Sequence, residues 1–462
     1  MPTDLMAAST AEWLRFALGL LAVAGLFALT AQWRRRVQVS AFAEACIETR
    51  MQYAASGVLL GLLAVPPARE AFGQLVPVAI TFFAGWYGLA VGCGVDLRRF
   101  RGRTWTWLQT QLWQAAFTVA LIALGAYLVK VVLDGDNGQY RWSELHLVLA
   151  ICIVGGVWRR LELNQPRQVS GALPTLSILS LAAIALAGLA GTAMSPGSFS
   201  VEYPFADGRD LLIDGYFDEG LFAVALGVAG GVAGNLACKD VKTQMLFYPL
   251  AALVLLACGI ANGLGLEPLW VGVVLGIWMI NASLRRVDLI HTLELGRSHL
   301  PLGLLFLAGW LAGEGISLAF RWDLFLWVVA FLILLRPLAR LLSLRLLALW
   351  GTGGLGKRPR FLAGVPAAEQ AGGERGQFDL FHVEDLALVI AVSGSRLMDP
   401  GPGTAVLVGT LVGYGVARAA AGAVNALLGR FVASAAARVV RGRSQLLFDP
   451  EQLVVLGDPV GA

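Results

Sequence analysis

Thirteen apolar stretches run along this chain of 462 residues, and they constrain its fold more than any single motif does. They lie at about 12–32, 48–65, 74–93, 107–132, 145–158, 171–193, 219–237, 244–261, 268–284, 299–317, 323–347, 384–398 and 402–428. A helix needs about 20 residues, mostly apolar, to cross a bilayer. Most of the stretches reach that length or come near it. The two short ones, 145–158 and 384–398, read as interrupted helices or as helices that borrow flanking polar residues. Only 14% of the residues are charged and 57% are hydrophobic, whereas a soluble domain carries about 25% charged residues. The mean hydropathy is +0.70. The expected fold class is all-α, a polytopic membrane protein with about 13 transmembrane helices.

Loop charge supplies the orientation. Basic clusters at Arg34–Arg36, Leu97–Arg103, Arg159-Arg160, Lys239 and Lys242, Arg285-Arg286, Leu334–Arg345 and Arg438–Arg443 follow the odd-numbered stretches. The alternate loops are poorer in Lys and Arg. The longest, 195–218, carries Glu202, Asp207, Asp210, Asp214 and Asp218 against one Arg209. Basic loops stay cytoplasmic, so the N-terminus is expected outside and the C-terminus in the cytoplasm, in a bacterial-type inner membrane. The first stretch is too long for a signal peptide, and its basic run follows it, so it reads as a retained helix. The expected division is 1–350 for helices one to eleven and 351–379 for a Gly-rich cytoplasmic linker. Helices twelve and thirteen fall in 380–430, and 431–462 forms a short tail. Residues 195–218 read as an ordered extracytoplasmic cap.

Several functions find no support. The net charge of +4 is spread through loops and gives no nucleic-acid signal. The cysteines (Cys46, Cys93, Cys152, Cys238 and Cys258) form no CxxC and no cluster with histidine. They read as small buried hydrophobes, with no metal and no cofactor expected. The stretch "GTGGLGK" (351–357) lacks Ser or Thr after Lys357 and is not a phosphate loop. No nucleophile–base pair stands out, so an enzyme is not expected.

Three stretches carry a family resemblance. Gln74–Arg103 is a long apolar run ending in Gly, an apolar-acidic pair and a basic cluster. Cys258–Arg286 has a Gly-rich turn, a Pro and then a helix with Gly272 and Gly276 that ends at Asn281. His382–Gly394, "HVEDLALVIAVSG", places Glu384 at an acidic motif position. These resemble segments of the monovalent cation:proton antiporter superfamily. The resemblance implies inverted repeats, with an ion site where interrupted helices cross at the midplane. It also implies a monovalent cation and a proton as partners, and a homodimer. Family members carry a Thr-Asp pair in helix five and an Asp in helix six. Here the fifth stretch has Gly155-Gly156 at the break and no acid, and the sixth has Ser180 at the Asp position. A hydroxyl ligates a cation but does not titrate near neutral pH.

The ion-binding or coupling candidates are Ser177, Ser180, Glu384 and Asp385, and the helix-break candidates are Gly155 and Gly156. Ser177 and Ser180 read either as cavity-lining groups or as small hydroxyls at helix contacts. Glu384 and Asp385 read either as intramembrane functional acids or as helix N-terminal acids wetted at the interface. Arg336 is expected to face the cytoplasmic surface, and Gly-rich Leu226–Gly234 to be a close-packing face. The expected function is an ion transporter with a departed site. The alternative is a non-transporting membrane scaffold or sensor subunit.

Overall fold

The computed structural model describes residues 49–97, 105–134, 142–154, 180–187, 199–201, 211–213, 216–283, 285–316, 320–339, 385–396 and 398–420, together with 14, 17–25, 28 and 342. Among them the chain is helical apart from one short hairpin. Besides a helical segment at 17–25, the helices are α1 (Met51–Leu63), α2 (Pro66–Cys93), α3 (Trp105–Asp134), α4 (Trp142–Ile153) and α5 (180–187). After the hairpin come α6 (Tyr216–Ala237), α7 (Phe247–Gly263), α8 (Pro268–Ala282) and α9 (Arg286–Gly315). The last three are α10 (Trp322–Ala339, with a π segment at Phe331–Leu335), α11 (Asp385–Ser395) and α12 (Pro400–Ala420). Four of these are long and apolar enough to cross a membrane: α2, the 220–237 part of α6, α10 and α12. The apolar helices are compatible with membrane insertion, because a helix satisfies its own backbone where no water is present.

Two parallel helix pairs form the tightest packing. In the first, Gly88 and Gly92 of α2 face Gly272 and Gly276 of α8. A Cβ at Gly88 would lie 2.4 Å from the Leu269 carbonyl oxygen, and one at Gly276 would lie 2.3 Å from that of Leu89. In the second, Gly57 and Gly61 of α1 face Gly309 and Gly313 of α9. A Cβ at Gly57 would meet the Phe306 carbonyl oxygen at 2.2 Å, and one at Gly309 would meet that of Ala54 at 2.1 Å. Each seam sets one four-residue glycine spacing against another, so the backbones touch directly. Such contact substitutes for the hydrophobic drive that lipid cannot supply.

The expected close-packing face in Leu226–Gly234 is found. Gly227 and Gly231 of α6 lie against Val274 and Trp278 of α8. Below the first seam, Asn281 donates to the carbonyls of Val95 (2.9 Å) and Ile277 (2.8 Å) and accepts from the Leu97 amide. Arg285 donates to the Cys238 carbonyl (3.0 Å) and to that of Val241, and it pairs with Asp288. These bonds fix the ends of α2, α6, α8 and α9 to one another.

Some expectations are revised. The stretch 299–317 is the second half of a helix that begins at Arg286, and α2 begins at Pro66 instead of 74. In the expected cap, Phe199–Val201 pairs antiparallel with Leu211–Ile213. Cys93, Cys152, Cys238 and Cys258 are buried with free thiols. The linker 351–379 and the tail 431–462 lie outside the described residues.

Candidate functional site

Three of the buried ionisable residues, Glu144, Arg336 and Asp385, lie on or against two short helices, α4 and α11. Their apolar runs leave only about a dozen residues each in helix. Gly394 of α11 sits against Leu147 of α4, where an added Cβ would be 2.4 Å from a Leu147 methyl. The two helices therefore pack closely, and α11 also packs on α2 and α9.

Arg336 requires a correction. It does not face a surface: the side chain is 1% exposed and its Nη2 donates to the Val154 carbonyl at 2.7 Å. That carbonyl belongs to the residue just past α4, where a helix leaves its last carbonyls without intrahelical partners. A guanidinium there completes a hydrogen bond and meets the negative end of the helix dipole. Arg336 reaches this point because it follows the π segment of α10, which packs on α3 through Leu335 against Gly125.

Asp385 opens α11 and is buried, so the reading as a wet interfacial acid does not hold for it. Tyr414 of α12 donates its hydroxyl to Asp385 Oδ1 at 2.5 Å, and Arg418 Nη1 lies 3.4 Å from the same oxygen. Arg418 also donates to the Tyr414 hydroxyl. Tyr414 and Arg418 are one helical turn apart and so share a face of α12. The carboxylate is held by a hydroxyl and a cation.

Ser180, in α5, is fully buried. Ser177, Glu384, Gly155 and Gly156 lie outside the described residues. The structure thus brings Asp385 into the core, and Ser180 is buried in it as well.

One residue of the site escaped the sequence reading. Glu267 sits in the turn between α7 and α8. Gly265 adopts φ +72° there, and the amides of Gly265 and Leu266 return to the carbonyls of Asn262 and Ala261. This is a glycine C-cap followed by Pro268 at the start of the next helix. The Ser393 hydroxyl of α11 donates to Glu267 Oε1 at 3.2 Å. Burial pushes the Glu267 carboxyl up from the usual carboxylate range, opposed by the Ser393 hydroxyl and the Leu269 amide. The signal in the sequence was an acid directly before Pro in a Gly-rich turn, which reads as a helix cap.

Among the described residues no group of three or more His, Cys, Asp or Glu could hold a metal ion. No protein-family model and no curated protein matches this chain.

Proposed function

We propose that this protein is an integral membrane transporter organised like the monovalent cation:proton antiporters it resembles, with an ion site that has departed from theirs. The observation that carries the reading is the collection of buried polar groups at two short, closely packed helices: Arg336 at the end of α4 and Asp385 at the start of α11. Buried ionisable groups among membrane helices are costly and mark functional positions. The seams support an inverted repeat. Packing joins α1 to α9 and α2 to α8. If α1 corresponds to α8 and α2 to α9, exchanging the halves turns each seam into the other. On this reading α4 corresponds to α11. Each carries a buried acid in its first turn, Glu144 and Asp385. The proposal keeps thirteen helices, an outside N-terminus and a cytoplasmic C-terminus.

The second reading, a non-transporting scaffold or sensor subunit, is favoured by the clamp on Asp385. A carboxylate bonded to Tyr414 and Arg418 is poorly placed to exchange a proton for a cation. The discriminating experiment is collapse of an imposed ΔpH in proteoliposomes, followed by a pH-sensitive dye on addition of Na⁺, K⁺ or Li⁺. Ion-dependent collapse is expected. No response to any of the three from folded, reconstituted protein would select the scaffold.

A further inference from the structure

We propose that Glu267, and not Asp385, is the carboxylate that takes up and releases the proton, and that its bond to Ser393 makes α11 sense that change. The two acids lie toward opposite ends of α11. Asp385 begins it and Ser393 is eight residues on, about 12 Å along a helix. Their surroundings differ in kind. Asp385 has a guanidinium and a phenol hydroxyl on one oxygen. Among the described residues the partners of Glu267 are the Ser393 hydroxyl and the Leu269 amide, and neither is a cation. A carboxylate in that setting loses water without gaining an opposite charge, which favours the protonated form.

The position suits coupling. The α7–α8 turn leads into α8 of the first glycine seam, whereas Ser393 belongs to α11, which packs on α4 as well as on α2 and α9. The 3.2 Å bond joins the α7–α8 turn to one of the two short helices. An ionised Glu267 accepts a charge-assisted bond from Ser393, stronger than the bond a neutral carboxyl accepts. Protonation weakens that hold, and deprotonation restores it.

Other charged or titratable groups lie on the packed elements, among them Asp288, His291, His299 and Glu314 of α9 and Arg418 of α12. Cys258 of α7 feels the Glu267 charge, and its thiol points to the Pro268 carbonyl at 3.4 Å. Glu144 and His146 lie in the first turns of α4, one turn or less from the Leu147 that touches Gly394. Arg396 and Asp399 follow α11 and are exposed, and α2 carries Arg69 and Glu70 near its start.

This inference deepens the transport reading and rests on it for its meaning, but titration is measured without flux, so failure of one is distinguishable from failure of the other. The experiment is infrared difference spectroscopy of the reconstituted full chain across a pH titration, following the protonated carboxyl band. Wild type is expected to show a carboxyl that titrates above the range of exposed carboxylates, near pH 4. Glu267→Gln should remove that band and Asp385→Asn should keep it. Ser393→Ala should move the midpoint upward, because a hydrogen bond to the charged form is lost. A band that survives Glu267→Gln and disappears in Asp385→Asn overturns the assignment, as does a wild type with no such band. If Glu267→Gln does not fold, the Ser393→Ala midpoint decides, and an unmoved midpoint overturns the proposal.

Discussion

The glycine seams and the α4–α11 pair solve the same problem in opposite ways. Along α1–α9 and α2–α8 the chain removes side chains so that backbones touch, and the atoms nearest an added Cβ at each of the facing glycines are backbone atoms. Around α4 and α11 it keeps Arg336 and Asp385 in the core and Glu267 half-buried, and a specific partner holds each: Val154 for Arg336, Tyr414 and Arg418 for Asp385, Ser393 for Glu267. Backbone contact over several turns has one good arrangement and resists sliding, because interiors are close-packed. Single hydrogen bonds at helix ends can be exchanged one at a time. The difference assigns rigidity to the seams and any switching to the short helices.

The largest expected effect breaks the rigid half. Gly92→Ala and Gly309→Ala would each place a methyl 2.1 Å from a backbone oxygen. Each should cost about 1–3 kcal/mol or more, read as lower thermal stability in detergent. Gly259→Ala, with nothing within 4 Å, should be neutral or slightly stabilising. Equal behaviour of the two kinds of glycine would remove the seam from the account. Next, Arg336→Met should cost about 1–3 kcal/mol by removing a charged donor from the buried Val154 carbonyl.

Smaller effects sharpen the comparison. A double-mutant cycle of Asp385→Asn with Arg418→Gln should return a coupling of about 1 kcal/mol, since Arg418 is partly exposed. Asp385→Asn alone should cost more than Arg418→Gln, because Tyr414 also loses a charged acceptor. Glu267 carries a sign of its own. Its folded pKa is raised, so its stabilising contribution is full below the unfolded pKa and is lost as pH rises through the folded one. Glu267→Gln should therefore flatten the fall of stability with rising pH in that window. The partly exposed pair Arg321–Asp323, at 2.6 Å, is the control. Neutralising both should change stability by no more than about 0.5 kcal/mol.

Much of the fold was legible as apolar runs. Where it was not, local polarity hid a helix. Asp288, His291, Glu294, Arg297 and His299 interrupt the apolar pattern ahead of Pro301, yet α9 is continuous from Arg286. Thr292 donates back to the Asp288 carbonyl at 2.8 Å, a bond within the helix that needs no apolar face. The start of α2 was missed for the same reason, with Arg69 and Glu70 in its first turns behind Pro66-Pro67. The paired glycine spacings at Gly57, Gly88 and Gly309 were present in the sequence, but which spacing meets which is a tertiary fact. Arg336 read as a surface residue because Arg340 and Arg345 follow it. Its burial depends on the end of α4 arriving beside it, which no local pattern encodes. Asp385 was found from its place at the head of a short apolar run, whereas Glu267 sits in a Gly-rich turn directly before Pro268, where no apolar run marks it.

The central claim is that the seams are rigid and the short helices are the part that changes, and hydrogen exchange of the reconstituted protein tests it most directly. Amides of 85–92 and 272–276 should be strongly protected and insensitive to pH beyond the intrinsic exchange rate. Those of α11 should exchange faster, and faster still at the lower pH once that rate is corrected for. Equal protection of both regions at every pH would contradict the account.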